Sequence, residues 1–445
     1  MTQPSLFLFV VLALAVSCSD SSGNSSNNAV QDVGTLADSG ASDAAGLSDF
    51  STADSGSDAG SADAGSSLGL IRIDDLKFNG AFRLKPGEYG ESSIDYAVGT
   101  LGFNPENQSL FIAGHAQHNA IAEYPIIAPG MQQTVEDLPV TADPLQPFVR
   151  VLGTGGNPEG IDKVTGMLWL DGALLVNAER WYDAAGQNAD TTLVIRDADD
   201  LAGERDGYFE LSCGARCAGY MGPIPQSLQG ELGASFYTGW SSVYSIISRY
   251  SVGPSLWTFD PTAMIEGSAS GSPGVAATGL MSFPHPDGII SERALEWGQQ
   301  GTSGPFPAAD PVWNPISRGR YGFFVEGSRT FAVIGSTGGL ESGIGYKAVQ
   351  SDGNQCGGPC AYEPDDYTNY YWLFDIDEIL NASSLDAPRP YAYGAWEVPF
   401  DNDGRNAIIG ATLDAQNGIL YMAIENAAQV GDYDRPPLIV TYRLP

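Results

Sequence analysis

FNPENQSLFIA at residues 103–113 lines up without a gap on LDAQNGILYMA at residues 413–423. In each, an apolar strand end runs into a polar turn and out into a second apolar strand, so one hairpin plan is used twice. A second recurring element is a strand closing on aspartate before a short turn or helix, at Asp197, Asp260 and Asp375. The gaps of 63 and 115 residues approximate one and two units of about sixty residues. MLWLDGALLV at 167–176 and YGFFVEGSRTFAVI at 321–334 are further hairpins, turning at Asp171–Gly172 and Glu326–Gly327. The 55 glycines and 28 prolines supply many turns.

These units predict an all-β domain, a β-propeller of five to seven blades, each a small antiparallel sheet. The last strand, LIVTYRL at 438–444, is expected to pair with an early strand near Ile71 and close the ring, leaving no open edge. A pair of β-sandwiches is the structural alternative.

Residues 1–18 read as a signal peptide, with the apolar run LFLFVVLALAV ending in Ala15, Val16, Ser17 and Cys18. The run is too short to span a bilayer as a stable helix. Small residues before Cys18 resemble a lipobox, which implies lipidation of that thiol. The segment before the run carries no Lys or Arg, and Ala15 stands where the lipobox pattern usually has Leu. Residues 19–67 are nearly all Ser, Asp, Ala, Gly and Asn, a composition that buries too little apolar surface to fold. As a flexible coil this tether spans about 35–42 Å. The expected organisation is therefore a signal peptide at 1–18, a disordered tether at 19–67 and the propeller at 68–445. The expected location is the cell envelope, as an exported outer-membrane or cell-surface lipoprotein joined to the membrane through Cys18, and the expected state is a monomer.

The net charge is −34, and the domain after residue 67 has only four lysines. That balance opposes nucleic-acid binding and charge-driven docking on anionic lipid. The remaining cysteines form two tight pairs, Cys213 with Cys217 and Cys356 with Cys360. Outside the cytoplasm these are expected to be local disulfides. A single four-cysteine zinc site is the alternative.

Two of the three histidines, His115 and His118, share the loop GHAQHN at 114–119, which follows an apolar strand. Histidine there can serve as acid or base near neutral pH. Metal binding with Glu123 as a third ligand is the other reading of that spacing. Arg249, amid Ser, Tyr and Gly, can offer a planar fork to a carboxylate. Tyr237, Tyr244 and Tyr250 are candidate proton carriers, with core packing as the bland alternative. Arg180, Trp181 and Tyr182 follow a predicted strand and can stack on sugar. DNDG at 401–404 begins like a calcium loop but lacks its later glutamate. No phosphate loop occurs, nor a dinucleotide fingerprint in a strand–helix context. No cofactor is expected, with calcium and zinc as weak options and the metal content unknown.

GTLGFNP at 99–105 with Leu110, Phe111, Gly114, His115, His118, Asn119, Ala122 and Glu123 resembles a pattern of secreted bacterial propeller proteins. So do MGPIP at 221–225, Arg249 and GPS at 253–255. The family they resemble is the propeller-type polysaccharide lyases that cleave ulvan. The resemblance favours seven blades and implies that uronate polysaccharide is cleaved by β-elimination. It implies His118 and a tyrosine, Tyr244 or Tyr237, in proton transfer, with Arg249 neutralising the carboxylate. His115, Asn119, Arg180, Tyr182 and Tyr237 then contact substrate. A non-catalytic propeller that binds glycan or protein is the alternative function. The absence of histidine between His118 and His285 departs from the pattern, and the acidic balance opposes long-range capture of a polyanion.

Overall fold

The computed structural model describes residues 69–183, 186–240, 253–267, 274–283, 301–431 and 434–445. They lie in one compact unit, Gly65–Pro445. The signal peptide, Cys18 and the tether lie outside the described residues.

Five four-stranded antiparallel sheets form the blades of a β-propeller. From the axis outward, the first blade is Leu101–Asn104, Ser109–Ala113, Ala120–Pro125 and Gln146–Arg150. The second is Lys163–Leu170, Ala173–Glu179, Asp190–Ile195 and Arg205–Glu210. The third is Met221–Pro223, Phe236–Trp240, Ser255–Phe259 and Ala277–Met281. The fourth is Arg318–Phe324, Thr330–Gly338, Tyr367–Asp375 and Pro390–Ala395. The fifth takes Ile408–Asp414, Ile419–Ile424 and Leu438–Arg443 from the C-terminus and Lys77–Arg83 from the N-terminal side. Each innermost strand lies against those of the two neighbouring blades, and the fifth returns to the first. Five blades lie at the lower end of the expected range, not at the seven that the resemblance favoured.

The repeated hairpin forms the two inner strands of adjacent blades, the first and the fifth. Phe103 pairs with Leu110 as Leu413 pairs with Leu420. Asn104 and Asp414 accept equivalent turn N–H groups, from Asn107 at 3.3 Å and from Asn417 at 3.1 Å. Gln108 and Gly418 both take positive φ. The three aspartates lie at or within two residues past the ends of the third strands of the second, third and fourth blades, each accepting the N–H two residues on. The gap of 115 residues therefore spans adjacent blades, correcting the two-unit reading. The extra length lies ahead of the fourth blade and inside it, where Ile344–Tyr346 pairs with Pro359–Ala361.

Ring closure falls on Lys77–Arg83, paired from Lys77 with Arg443 to Arg83 with Leu438. Ile71 lies just before that strand and is held by the fourth blade instead. Its N–H donates to Thr330 Oγ1 at 3.2 Å, and its carbonyl accepts from the Tyr391 hydroxyl at 2.7 Å. Cys213 is bonded to Cys217 and Cys356 to Cys360. The first staples the link between the second and third blades, the second the insertion in the fourth. That pairing overturns the four-cysteine zinc alternative.

Apolar side chains of successive blades fill the space between the sheets, as where Phe103 stacks on Tyr421 with ring centroids 6.1 Å apart. Near the axis the spacing is tighter. A Cβ on Gly166 would lie 1.9 Å from the Gly219 carbonyl oxygen, and one on Gly410 would lie 2.2 Å from that of Gly99. Threonines bridge such seams: Thr100 Oγ1 donates to the Val164 carbonyl at 3.0 Å between the first and second blades, and Thr165 Oγ1 to that of Ala218 between the second and third. Gly166→Val is expected to force the second and third blades apart at a cost of about 3 kcal/mol. Chemical denaturation would show this as a lowered midpoint with an unchanged slope.

Candidate functional site

All five inner strands hold the same place in their meanders, so their first residues gather at one mouth of the axis. In three of them the ladder skips a residue there: between Val164 and Gly166, between Gly319 and Tyr321, and between Ile408 and Gly410. A bulged residue is released from the pleat and re-aimed. The residues passed over are Thr165, Arg320 and Ile409. All three line one narrow pocket with Val98, Thr100, Lys163, Val164 and Glu179.

Lys163 and Glu179 face each other across the first hairpin of the second blade. Glu179 is 5% exposed and accepts a hydrogen bond from Trp240 Nε1 at 2.8 Å. Burial raises its carboxyl above the usual range. The Lys163 ammonium sits 4.6 Å from the centroid of the Trp181 ring, a cation–π contact. Trp181 is anchored by its backbone N–H, which donates to Asp162 Oδ1 at 2.7 Å.

Burial, and then the positive charge of Arg320, push Lys163 down to about 8, with Arg318 adding and Glu179 and Asp162 opposing. Burial and Arg318 push Arg320 down to about 10, against Glu425 and Glu179. Lys163, Arg318 and Arg320 form no ion pair within 4.0 Å among the described residues. Buried Nε of Arg320 has no hydrogen-bond partner there either. The mouth thus holds three cations whose hydrogen-bonding capacity is only partly used.

The histidine loop joins the second and third strands of the first blade and opens at the same end. His118 Nδ1 lies 3.0 Å from Ser92 Oγ, and its ring is 5.0 Å from that of His115. Tyr96 stands edge-on to His115 with centroids 5.8 Å apart. The segment from Ala97 to Thr100, ahead of the inner strand, pairs with this loop and the strand end before it through Val98 N–H to the Gly114 carbonyl and Gly99 N–H to that of Ala113. It leads from His115, opposite Ala97, to the pocket at Thr100.

Several expected contacts become structural. Asn119 is 7% exposed and takes positive φ. Its amide donates to the Ala116 carbonyl at 2.8 Å and accepts from Val164 N–H at 3.1 Å, joining two blades instead of meeting a ligand. Tyr237 is 2% exposed, and its hydroxyl donates to the Gly322 carbonyl at 2.9 Å. That places it in the core, out of reach of a polymer. Glu123 is buried and accepts from Asn104, Asn107, Ser109 and Gln146, so its oxygens are taken up within the blade. Asp401 accepts from Asn369 Nδ2 at 3.1 Å. Among the described residues, no group of three or more His, Cys, Asp or Glu is placed to hold a metal ion.

Arg180 and Tyr182 are exposed beside Trp181, in the loop after Glu179; Tyr182 is 63% and Trp181 41% exposed. Tyr244, Arg249, Tyr250 and His285 lie outside the described residues. Lys163, Glu179 and Arg320 were missed by sequence reasoning. The available signals were the scarcity of lysine and the Arg318–Gly319–Arg320 step at the head of an apolar strand.

No protein-family model matches the chain, and no curated protein matches it. Among solved structures, the PQQ-bound form of aldose sugar dehydrogenase from Streptomyces coelicolor is similar over 82% of this chain and 97% of that chain. Identity is 13% and the TM-score 0.27, too low to carry an argument. The likeness to ulvan lyases has no family match behind it.

Glu179→Gln removes the carboxylate facing Lys163. The Lys163 pKa is expected to fall further below about 8, as followed by NMR titration of its side-chain resonances; an unchanged value would mean the two charges do not interact.

Proposed function

We propose that this protein is an exported, envelope-anchored propeller that receives an extracellular acidic polysaccharide across the mouth of its axis. One observation carries the proposal: Lys163, Arg318 and Arg320 converge beside the exposed Trp181 and Tyr182 in a chain of net charge −34. Aromatic faces stack on sugar rings, and cations compensate carboxylates. Cys18 supplies the anchor and residues 19–67 the reach, with the propeller acting as a monomer.

The reaction that fits such a ligand is uronate β-elimination. A base removes the proton alpha to the carboxylate, those electrons form a carbon–carbon double bond, and the glycosidic oxygen leaves and takes up a proton. Cations at the carboxylate stabilise the charge that develops. His118 is the proposed proton-transfer group. His118 is not among the residues that line the pocket, which favours the second reading, binding without cleavage.

The test uses the native protein with uronate polysaccharides and a neutral glucan, followed by ultraviolet absorbance and by direct binding. Selective binding of the acidic polymers is expected, with Trp181→Ala weakening it about tenfold. Absorbance that rises with native protein and is abolished by His118→Ala supports elimination. A flat trace with binding retained supports the binding propeller; equal or no binding of all polymers refutes the proposal.

A further inference from the structure

We infer that the mouth is a proton-coupled carboxylate pocket, in which Arg320 offers the hydrogen-bonding fork and Lys163 takes up a proton as the anion arrives. The inference rests on the reading of the mouth as the glycan site, and adds a ligand class, a residue for each role and a pH response.

The geometry begins with the bulge. Without the skipped pairing between Gly319 and Tyr321, Arg320 would follow the pleat of its strand. With it, the guanidinium shares a pocket with Lys163 and Glu179 from the second blade. Its Nε is buried without a partner among the described residues, although buried donors are ordinarily satisfied. A planar carboxylate matches that fork and supplies two acceptors at once. The pocket wall from the first and fifth blades is uncharged where Val98, Thr100 and Ile409 form it. Charge around Lys163 comes from Arg318 and Arg320 on the fourth blade and from Asp162 and Glu179 on its own. Glu425 of the fifth blade acts on Arg320.

Proton coupling follows from that arrangement. Lys163 is pressed by burial and by two arginines, and its ammonium is already displaced to about 8. An incoming carboxylate adds negative charge beside it and raises that value again, as an opposite charge near an ammonium must. Above about 8 the ligand binds with uptake of a proton; below it the ammonium is already formed. Anion affinity therefore falls as pH rises through this range.

Calorimetric titration with glucuronate, at pH 7 and pH 9.5 and in buffers of different ionisation enthalpy, tests the inference. Affinity is expected to drop about tenfold or more between the two, with proton uptake seen in the buffer dependence. Lys163→Arg, which keeps its charge throughout, is expected to bind with little pH dependence. Arg320→Met is expected to lose binding at both values while retaining the native circular dichroism spectrum. Glucose is the neutral control. Native affinity that is flat with pH, absent, or unaffected by Arg320→Met overturns the inference, as does a drop of equal size in Lys163→Arg. Polysaccharide binding measured beside it separates the two claims: glucuronate bound in the expected pattern without polymer binding leaves the pocket standing and removes the glycan reading.

Discussion

At the seam between the second and third blades, one methyl group on Gly166 would lie 1.9 Å from a neighbouring carbonyl oxygen. At the seam between the fifth and first, the corresponding clearance at Gly410 is 2.2 Å. Five sheets meeting around one axis leave no room for side chains where their inner strands touch. Glycine and threonine occupy those places, the first by absence and the second by bonding across the seam. The outer strands are free of this limit, and aromatic and branched residues fill the widening wedges between them.

The same crowding shapes the mouth. Regular strands packed this closely would carry their side chains alternately into the two flanking seams. Bulges at Thr165, Arg320 and Ile409 break that alternation just where the strands begin. They turn three side chains into a shared pocket and bring an arginine next to a lysine. Like charges so placed repel, and burial strips them of water; both effects lower the proton affinity of Lys163. Glu179, fixed by Trp240, limits the repulsion without forming a direct ion pair. Such a mouth favours an anion, although the chain as a whole is strongly negative.

The propeller was legible because its hairpins repeat in one dimension. Asn104 and Asp414 close equivalent turns, and Asp197, Asp260 and Asp375 mark the same corner of successive blades. Blade number was less legible, since insertions in and before the fourth blade stretch one interval to nearly twice the other. The site was legible only in part. Trp181 and Tyr182 stood out as aromatic residues after a strand, and the histidine loop as a cluster of a rare residue type. Lys163, Glu179 and Arg320 come from two separate blades, and a bulge, invisible in the residue pattern, turns Arg320 toward the other two. Asn119 and Tyr237 carried functional residue types into structural places, because a buried amide or phenol can as well join two blades as meet a ligand.

A crystal structure of the protein with a uronate oligosaccharide tests the central claim most directly. The account predicts a carboxylate hydrogen-bonded to Arg320 at the mouth, beside Lys163, with a sugar ring against Trp181. An oligosaccharide held on the opposite face or along a blade's outer edge, with the mouth unengaged, would contradict it.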